Sequence, residues 1–437
     1  MIEITTLLLG LITGPRMVAF TAAPQVASVV FHVDGEVVAG VVPEEGDGVV
    51  RVPLGREMMP HRVTAVAYDE AGREIGRDDE WVNLPRPEID AELVLHGDPW
   101  RPERASLVWE HLARRPVTVR RVEAWLDDRP LPVDDATEIP LPRLDAEVPH
   151  VLRLDATFSN GERIELARSF GGGAIDEVET RLVPMRLAAR PGEEVPGDPA
   201  ALAACLAAPE GVRAQGVEEG PGEVLVVQDL SAEPLVARLL QGLRRQPRSG
   251  AGMATYRYLL PLGEGVRLRK VWPVPAEVEH GGTALVLFPS TEPEESAGRG
   301  MISVLRERHA SPRGSEQRLG EAVAVAGLLA YGSGRPAAVV LVVGPDPPDA
   351  GAHSPAAARS YLAALGVPLH VWSLGGGRGA EAWGATAEVK TYLQLENAVT
   401  GLRRALERQR LVWLSGVALP QDVRFADCAC CQPAADG

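Results

Sequence analysis

Residues 223–229 read Glu-Val-Leu-Val-Val-Gln-Asp, a short apolar run that ends in an acid. A continuous apolar run, without the alternation of a half-exposed strand, is typical of a strand buried on both faces of a parallel sheet. In sheets of this kind, ligands bind beyond the carboxyl ends of the strands. Asp229, which closes the run, is therefore the first candidate for a functional residue.

The sequence after this run alternates between strand and helix patterns. Further apolar runs predict strands, and apolar residues at helical spacing predict helices between them. The strands are predicted at 283–289, 338–344, 368–373 and 411–414, and the helices at 318–331, 354–365 and 396–409. Ser354 followed by Pro355 is a helix start signal. This alternation predicts an α/β doubly wound, Rossmann-like sheet.

The N-terminal part contains an internal repeat of alternating strands. The segment 60–72 starts with Pro-His and ends in a Gly turn, and the segment 149–161 repeats this arrangement. The copies lie about 90 residues apart, which is the size of one small β-sandwich. The matched histidines, His61 and His150, lack a second ligand at strand or helix spacing. We therefore interpret them as strand-entry residues with a local hydrogen bond, rather than as metal ligands or catalytic groups.

The length and the net charge of the chain limit the number of domains and the classes of partner that we expect. The chain has 437 residues, enough for about two to four domains. It carries 60 acidic and 44 basic side chains, a net charge of -16. Sequence-independent binding of DNA or RNA requires a basic surface, so we expect no nucleic-acid partner. Outside the N-terminus no apolar run reaches about 18 residues, so we expect no transmembrane segment.

The two ends of the chain carry unusual features. The apolar residues 1–15 include Glu3 where a signal peptide carries positive charge, so we predict a β-strand there and no readable signal peptide. A zinc site at Cys428, Cys430 and Cys431 would need a second ligand pair at a suitable distance, and the sequence offers none, so we predict that the tail around them is disordered. The fourth cysteine, Cys205, stands alone, so the cysteines do not assign a redox compartment.

Motifs of common enzyme classes are absent. The sequence contains no P-loop GxxxxGK[ST], no GxSxG nucleophile elbow and no HExxH zinc motif. The glycine-rich run 375–380 fits a nucleotide-binding pattern only nominally, because it does not follow the first strand of the sheet. We therefore expect no enzymatic activity and no catalytic residue. General acid–base catalysis by the acidic loops is the remaining enzymatic alternative.

Two families resemble these segments. Residues 1–85, with Val-x-Phe-x-Val-Asp-Gly at 29–35, resemble bacterial immunoglobulin-like domains, and residues 86–172 resemble them more loosely. Residues 173–415 resemble divergent bacterial von Willebrand factor A-type domains, through segments 223–232, 318–344, 361–373 and 402–413. The resemblance implies two all-β immunoglobulin-like sandwiches followed by an α/β von Willebrand factor A-like domain, with residues 416–437 as a C-terminal tail.

The A-type resemblance also implies a metal site. Such domains bind a divalent cation at a metal-ion-dependent adhesion site, where an Asp-x-Ser-x-Ser loop, a Thr and a further Asp supply oxygen ligands. Here Asp229 and Ser231 match the first two positions, and Asp346 stands in the third loop. The implied ligands for Mg²⁺ are therefore Asp229, Ser231 and Asp346.

The match to this signature is incomplete. Glu233 replaces the second Ser of the loop, and either Gln317 or Ser315 occupies the place of the Thr. Asp349 is as near to the third loop as Asp346. Since metal sites of this kind need their full ligand count, we expect a degenerate site and no cofactor, with Mg²⁺ as the one ion the motif would bind.

The resulting expectation is a non-catalytic protein–protein interaction or scaffold protein. It would bind through the loops near Asp229, Ser290 and Asp346 or through free edges of the sandwiches. The alternative is a metal-dependent adhesion module, in which Mg²⁺ at Asp229 and Ser231 binds an acidic group of a protein partner. The resemblance further implies export to the periplasm or the extracellular space, although without a readable signal peptide a cytoplasmic location stays open.

Overall fold

The computed structural model is dominated by β-structure, with 44% of residues in strands and 21% in helices. It describes residues 2–6, 11–44, 46–85, 89–98, 101–111, 116–127, 129–145, 148, 150–159, 163–170, 176–209, 211–244, 260–275, 288–308, 316–347, 349–375, 378–416, 418–425 and 428–436. Most of these strands belong to small antiparallel sheets, and one larger sheet is mainly parallel.

The N-terminal region is a β-sandwich of two sheets, with orders β1-β2-β5 and β4-β3-β6-β7. Its strands are β1 (Ile2–Ile4), β2 (Pro15–Ala22), β3 (Ser28–Val33), β4 (Glu36–Val41), β5 (Asp47–Pro53), β6 (His61–Tyr68) and β7 (Glu74–Val82). Alternate apolar side chains meet between the sheets, where the rings of Phe20 and Phe31 lie 5.3 Å apart. The predicted first strand is present, since Ile4 pairs with Phe20 and both are buried.

A second sandwich follows, with sheet orders β12-β9-β8 and β11-β10-β13-β14-β15 around one core. Its strands are β8 (Ile89–Asp98), β9 (Arg101–His111), β10 (Val119–Leu126), β11 (Arg129–Leu131), β12 (Ile139–Pro140), β13 (His150–Phe158), β14 (Arg163–Phe170) and β15 (Asp176–Arg181). Strand β15, which pairs with β14 along its whole length, lies beyond the predicted boundary at residue 172. The predicted turn at Gly161 lies outside the described residues.

A shared turn explains the repeated histidines. His61 Nδ1 lies 2.7 Å from Asp34 Oδ2, and His150 Nδ1 lies 2.7 Å from Asp127 Oδ2. Both aspartates have positive φ, 53° and 50°, and each also accepts the backbone N–H of the residue after the histidine. Both histidines begin a strand, as interpreted, but the hydrogen bonds are not local in sequence, because the aspartates lie 27 and 23 residues earlier in the chain.

The outer face of the second sandwich carries three acids in one row. Asp155 on β13 lies opposite Glu123 on β10 and Glu165 on β14. Burial and the neighbouring carboxylate of Glu165 raise the pKa of Asp155 to about 6, against the attraction of Arg153. Because this pKa is higher in the folded chain than in the unfolded chain, the protonated form of Asp155 favours folding. This contribution to the free energy of unfolding is present at low pH and is lost as the pH rises through about 6.

We expect Asp155→Asn to stabilise the protein at neutral pH, because it removes the buried charge while keeping the shape. The Asp155 side chain is 39% exposed, so solvent screening reduces the gain to about 1 kcal/mol near pH 7.5, with almost none near pH 4. Thermal unfolding of the variant and of the exposed control Asp134→Asn at both pH values measures this. Destabilisation of Asp155→Asn near pH 7.5 would show that the carboxylate is a net stabilising group.

A third β-unit is assembled from two distant parts of the chain. Its main sheet has the order β18-β25-β16-β27, and a small pair joins β17 to β26. Its elements are β16 (Val183–Ala189), α1 (Pro199–Ala203), β17 (Leu206–Ala207), β18 (Arg213–Glu218), β25 (Gln409–Ser415), β26 (Arg424–Phe425) and β27 (Cys431–Pro433). The predicted domain 173–415 thus includes a separate antiparallel sheet, in which β16 and β18 pair with β25.

The described part of the C-terminal tail is folded onto this unit, which corrects the prediction that the tail around Cys428, Cys430 and Cys431 is disordered. Cys431 on β27 pairs with Ala189 on β16. Phe425, Cys428 and Cys431 are buried in the core of the unit. The tail orders because β16 offers it an open strand edge and because its apolar side chains complete that core.

A six-stranded sheet lies between β18 and β25 in the chain, with the order β21-β20-β19-β22-β23-β24. Its strands are β19 (Glu223–Gln228), β20 (Arg267–Val271), β21 (Glu294–Glu295), β22 (Ala337–Val343), β23 (Leu369–Ser373) and β24 (Thr386–Glu388). All neighbours are parallel except β21 and β20. The central strands β19 and β22 are buried at every position, as their apolar runs predict. Most of the predicted strand 283–289 lies outside the described residues.

Helices cover both faces of this sheet. They are α2 (Glu233–Arg244), α3 (Ser296–Arg306), α4 (Leu319–Gly332), α5 (Pro355–Ala364), α6 (Arg378–Glu381) and α7 (Tyr392–Glu407). α4 and α5 pack on one face, and α2, α3 and α7 pack on the other. The predicted start of α5 is confirmed, since the side chain of Ser354 accepts the Ala357 N–H. No helix in the described part of the chain is long and apolar enough to cross a membrane.

Candidate functional site

The strand order of the large sheet locates its binding edge. Counted along the chain, the strands lie in the order 3-2-1-4-5-6, which reverses direction between β19 and β22. In doubly wound sheets the ligand crevice opens at this point, beyond the carboxyl ends of the two strands. Asp229 follows β19 and Gly344 follows β22, so both residues stand where a ligand site is expected.

The carboxylate of Asp229 is fully buried and accepts four hydrogen bonds. Oδ1 accepts the backbone N–H of Ser231 and, at 3.4 Å, Nε2 of Gln317. Oδ2 accepts the Ser231 hydroxyl at 3.0 Å and the Gly344 N–H at 2.6 Å. The carboxylate thus joins the β19 loop to the end of β22 and leaves little oxygen surface for a further partner.

Local sequence explains this geometry. Asp229 is the N-cap of a short 3-10 helix over Leu230–Ala232, a role that a short acidic side chain fulfils well. Gly344 allows the loop to approach, since a Cβ at that position would lie 2.2 Å from Ser231 Oγ. The apposition of Asp229 and Ser231 therefore depends on a glycine at the end of the neighbouring strand.

Two effects act on the proton affinity of Asp229. Burial raises the pKa of its carboxyl group above the ordinary value, whereas the hydrogen bonds from Gly344 and Ser231 oppose that shift. Among the described residues, four donors and no acceptor contact the carboxylate, which is the environment of an ionised acid. The charge is therefore compensated by dipoles of the protein itself.

Gln317, one of the two residues predicted to take the place of the Thr, contacts Asp229. It is fully buried, its Oε1 accepts the Leu230 N–H at 3.2 Å, and its Nε2 points to Asp229. A side-chain NH₂ group cannot ligate a cation, because it offers hydrogens instead of a lone pair. The described donor set around Asp229 therefore does not fit Mg²⁺, which needs free oxygen ligands in an octahedron. Ser315, the other candidate, lies outside the described residues.

The two acids of the predicted third loop, Asp346 and Asp349, have other surroundings. Asp346 is exposed in the loop after β22, and no hydrogen bond joins it to Asp229 among the described residues. Asp349 Oδ1 instead accepts the Leu319 N–H and the Gly351 N–H, both at 3.0 Å, at the start of α4. The structure thus brings Asp229, Ser231 and Gln317 together and leaves Asp346 apart.

A pocket of about 350 Å³ opens beside this site, between α2 and α3. Apolar side chains form part of its wall, and two arginines and one glutamate supply its charges. It is lined by Gln228, Glu233, Val236, Ala237, Leu240, Gln241, Leu305, Arg306 and Arg308. Two arginines against one glutamate give the described lining a small excess of positive charge in a chain with a net charge of -16.

Lys270, which hydrogen-bonds the lining residue Gln228, was not anticipated from the sequence. It is 1% exposed, and its Nζ donates to Gln228 Oε1 at 3.0 Å and to the carbonyls of Val304 and Glu307 at the end of α3. The sequence did contain one indication that Lys270 is unusual, since it is one of only two lysines in a chain otherwise rich in arginine. A buried ammonium of this kind holds the C-terminus of α3 against β20.

Ser290, another predicted loop residue, is tied to the edge of the sheet. Its hydroxyl accepts a hydrogen bond from Arg269 at 2.8 Å, and its backbone pairs with Val271. The acidic loop that begins there therefore runs along β20 and not over the Asp229 site.

Comparisons with known proteins add no assignment. No protein-family model matches the chain, and no curated protein matches it. Similar solved structures include fibronectin(III)-like modules of Clostridium thermocellum CbhA, with 21% identity over 19% of this chain and 93% of that chain and a TM-score of 0.17. Proximal thread matrix protein 1 of the mussel byssus is 13% identical over 43% of this chain and 48% of its own, with a TM-score of 0.28. A human COPII-coat protein is 12% identical over 43% of this chain and 32% of its own, with a TM-score of 0.25.

Proposed function

We propose that this chain is a non-catalytic protein-binding or scaffold protein, built from two immunoglobulin-like sandwiches and a divergent von Willebrand factor A-like domain. The observation that carries the proposal is the closed hydrogen-bond shell of Asp229 at the switch point of the sheet. A site whose acid is already satisfied by the protein has no need of a metal. We therefore place the binding of a protein partner on the surface beside this site.

The pocket between α2 and α3 is the proposed contact for a protein partner. Arg306 and Arg308 can give charge-assisted hydrogen bonds to a carboxylate, and Val236, Leu240 and Leu305 can pack against the apolar stem of the same side chain. Such a combination suits an acidic residue on an exposed loop of a partner.

We further propose that the protein acts outside the cytoplasm. The family resemblance supports export, and so does the disulfide between Cys428 and Cys431, because disulfides persist in oxidising compartments and are rare in the cytoplasm.

Charge reversal in the pocket tests this function. We expect the double variant Arg306→Glu/Arg308→Glu to lose its protein partner by at least about tenfold in affinity, since a favourable ion pair becomes a repulsion. The partner is first isolated by quantitative pull-down with the full chain and then titrated calorimetrically against each variant.

The matched control is Arg51→Glu/Arg56→Glu, which makes the same change in net charge at exposed positions of the first sandwich. The proposal predicts that this control binds like the wild type. Equal affinity of both double variants for the partner would overturn the proposed surface, and the absence of any partner retained by the wild type would overturn the binding function.

A metal-dependent adhesion module is the second candidate. The contact that favours it is the pairing of Asp229 with the Ser231 hydroxyl, since these residue types supply the first two ligands of such a site. For this function the amide of Gln317 would have to leave the carboxylate when a cation enters. The two candidates therefore differ in one measurable property, the dependence of metal uptake on Asp229.

A further inference from the structure

Three of the four cysteines meet on the third β-unit. Cys428 and Cys431 form a disulfide, and their residues are 1% and 0% exposed. Cys430 is a free thiol that is partly exposed, and its Sγ lies 3.5 Å from the Sγ of Cys428. Within the described part of the chain, these three are the one group of Cys, His, Asp or Glu side chains whose ligating atoms all lie within 4.8 Å of one another.

We propose that Cys428, Cys430 and Cys431 form a thiol–disulfide exchange site, in which Cys430 carries the oxidising capacity of the buried disulfide to the surface. The substrates are accessible thiols, on small molecules or on partner proteins. The juxtaposition that supports this is a free, partly exposed sulfur in contact with one sulfur of a disulfide that solvent does not reach.

The first step is internal. The thiolate of Cys430 attacks Cys428 Sγ, a Cys428–Cys430 disulfide forms, and Cys431 leaves as a thiolate that takes up one proton. No net oxidation occurs, because one disulfide replaces another. The exchange moves one electrophilic sulfur from the buried core to the partly exposed position 430.

The second step consumes the external thiol. Its thiolate attacks Cys430 Sγ, and a mixed disulfide forms while Cys428 leaves as a thiolate. A second external thiol then releases the first as a disulfide and restores the Cys430 thiol. Two external thiols are thereby oxidised to one disulfide, and the Cys428–Cys431 pair is reduced to two thiols.

The backbone around the site holds the three sulfurs in place. Arg190 donates its backbone N–H to the Cys430 carbonyl at 2.9 Å and its Nε to the Cys431 carbonyl at 3.2 Å. Cys431 also belongs to β27, which pairs with β16.

The test measures the rate at which excess glutathione, or a peptide with a single cysteine, reduces the Cys428–Cys431 disulfide. Samples are quenched with acid, alkylated and mapped by mass spectrometry. We expect a mixed disulfide on Cys430 in the wild type, and loss of the Cys428–Cys431 disulfide at least about tenfold more slowly in Cys430→Ser, where only direct attack on buried sulfur remains. Either thiol reacting through Cys430 supports the proposal, and the faster one identifies the substrate class.

Two controls isolate the role of Cys430. Cys205→Ser removes the other free thiol and should react like the wild type. The melting temperature of oxidised Cys430→Ser should equal that of the wild type, because the disulfide itself is retained. If Cys430→Ser with an unchanged melting temperature loses its disulfide at the wild-type rate, the exchange runs without Cys430 and the proposal is wrong.

Discussion

Asp229→Ala should destabilise the protein by about 3 kcal/mol, whether or not Mg²⁺ is present. The substitution leaves the N–H groups of Ser231 and Gly344 and the amide of Gln317 buried without their acceptor. Each such group loses its hydrogen bond without gaining water, because the surroundings of the carboxylate are closed. Thermal and chemical unfolding of the purified chain measure the loss.

Two further variants serve as comparisons for the stability of Asp229→Ala. Asp229→Asn keeps one acceptor oxygen but turns an NH₂ group towards donors, so we expect a smaller loss than with alanine. Asp346→Ala changes an exposed acid in the neighbouring loop and should alter stability by no more than about 0.5 kcal/mol. Stability of Asp229→Ala within that same range would contradict the structural role of the carboxylate.

Arg186→Ala should be at least as damaging, with a loss of about 4 kcal/mol. Arg186 on β16 is fully buried and reaches the end of α4, where it donates to the carbonyls of Ala330, Tyr331 and Arg335 at 2.6–3.1 Å. Burial lowers the pKa of its guanidinium group to about 10, which still leaves the group charged at neutral pH. Its removal takes one donor from each of these carbonyls, of which Ala330 O keeps the hydrogen bonds from Ser333, and opens a cavity between the third β-unit and the large sheet.

The control for Arg186 lies on the adjacent part of the same unit. Arg213→Ala removes an exposed arginine from β18 and should be nearly neutral. Hydrogen exchange adds a local readout, since the amides of the last turn of α4 should exchange faster in Arg186→Ala. Near-neutral stability of Arg186→Ala would mean that the third β-unit and the large sheet are held together without this guanidinium group.

The parts of the fold that follow from local pattern could be predicted. The apolar runs of β19 and β22 indicate strands buried on both faces, because only parallel sheets covered on both sides bury such runs. The repeated Pro-His segments likewise indicate two similar sandwiches. The position of Asp229 at the binding edge follows from the same pattern, because parallel strands end on one side of the sheet.

The remaining features depend on contacts between distant residues. The pairing of β16 with β25 joins segments on either side of the large sheet, and no local signal announces it. The tail around Cys428 is rich in Pro, Ala and Gly, so its composition indicates disorder, although β16 supplies the edge that orders it. The role of Gln317 also needed the structure, since its amide contacts a carboxylate 88 residues earlier in the chain.

Metal uptake by the full chain tests the central claim most directly. Equilibrium dialysis against Mn²⁺, a paramagnetic substitute for Mg²⁺, is compared between the wild type, Asp229→Ala and Asp346→Ala by metal analysis and spin resonance. The closed shell around Asp229 predicts the same weak uptake by all three proteins. Uptake of one ion per chain at micromolar Mn²⁺ that disappears in folded Asp229→Ala would contradict it and establish the metal-dependent adhesion module.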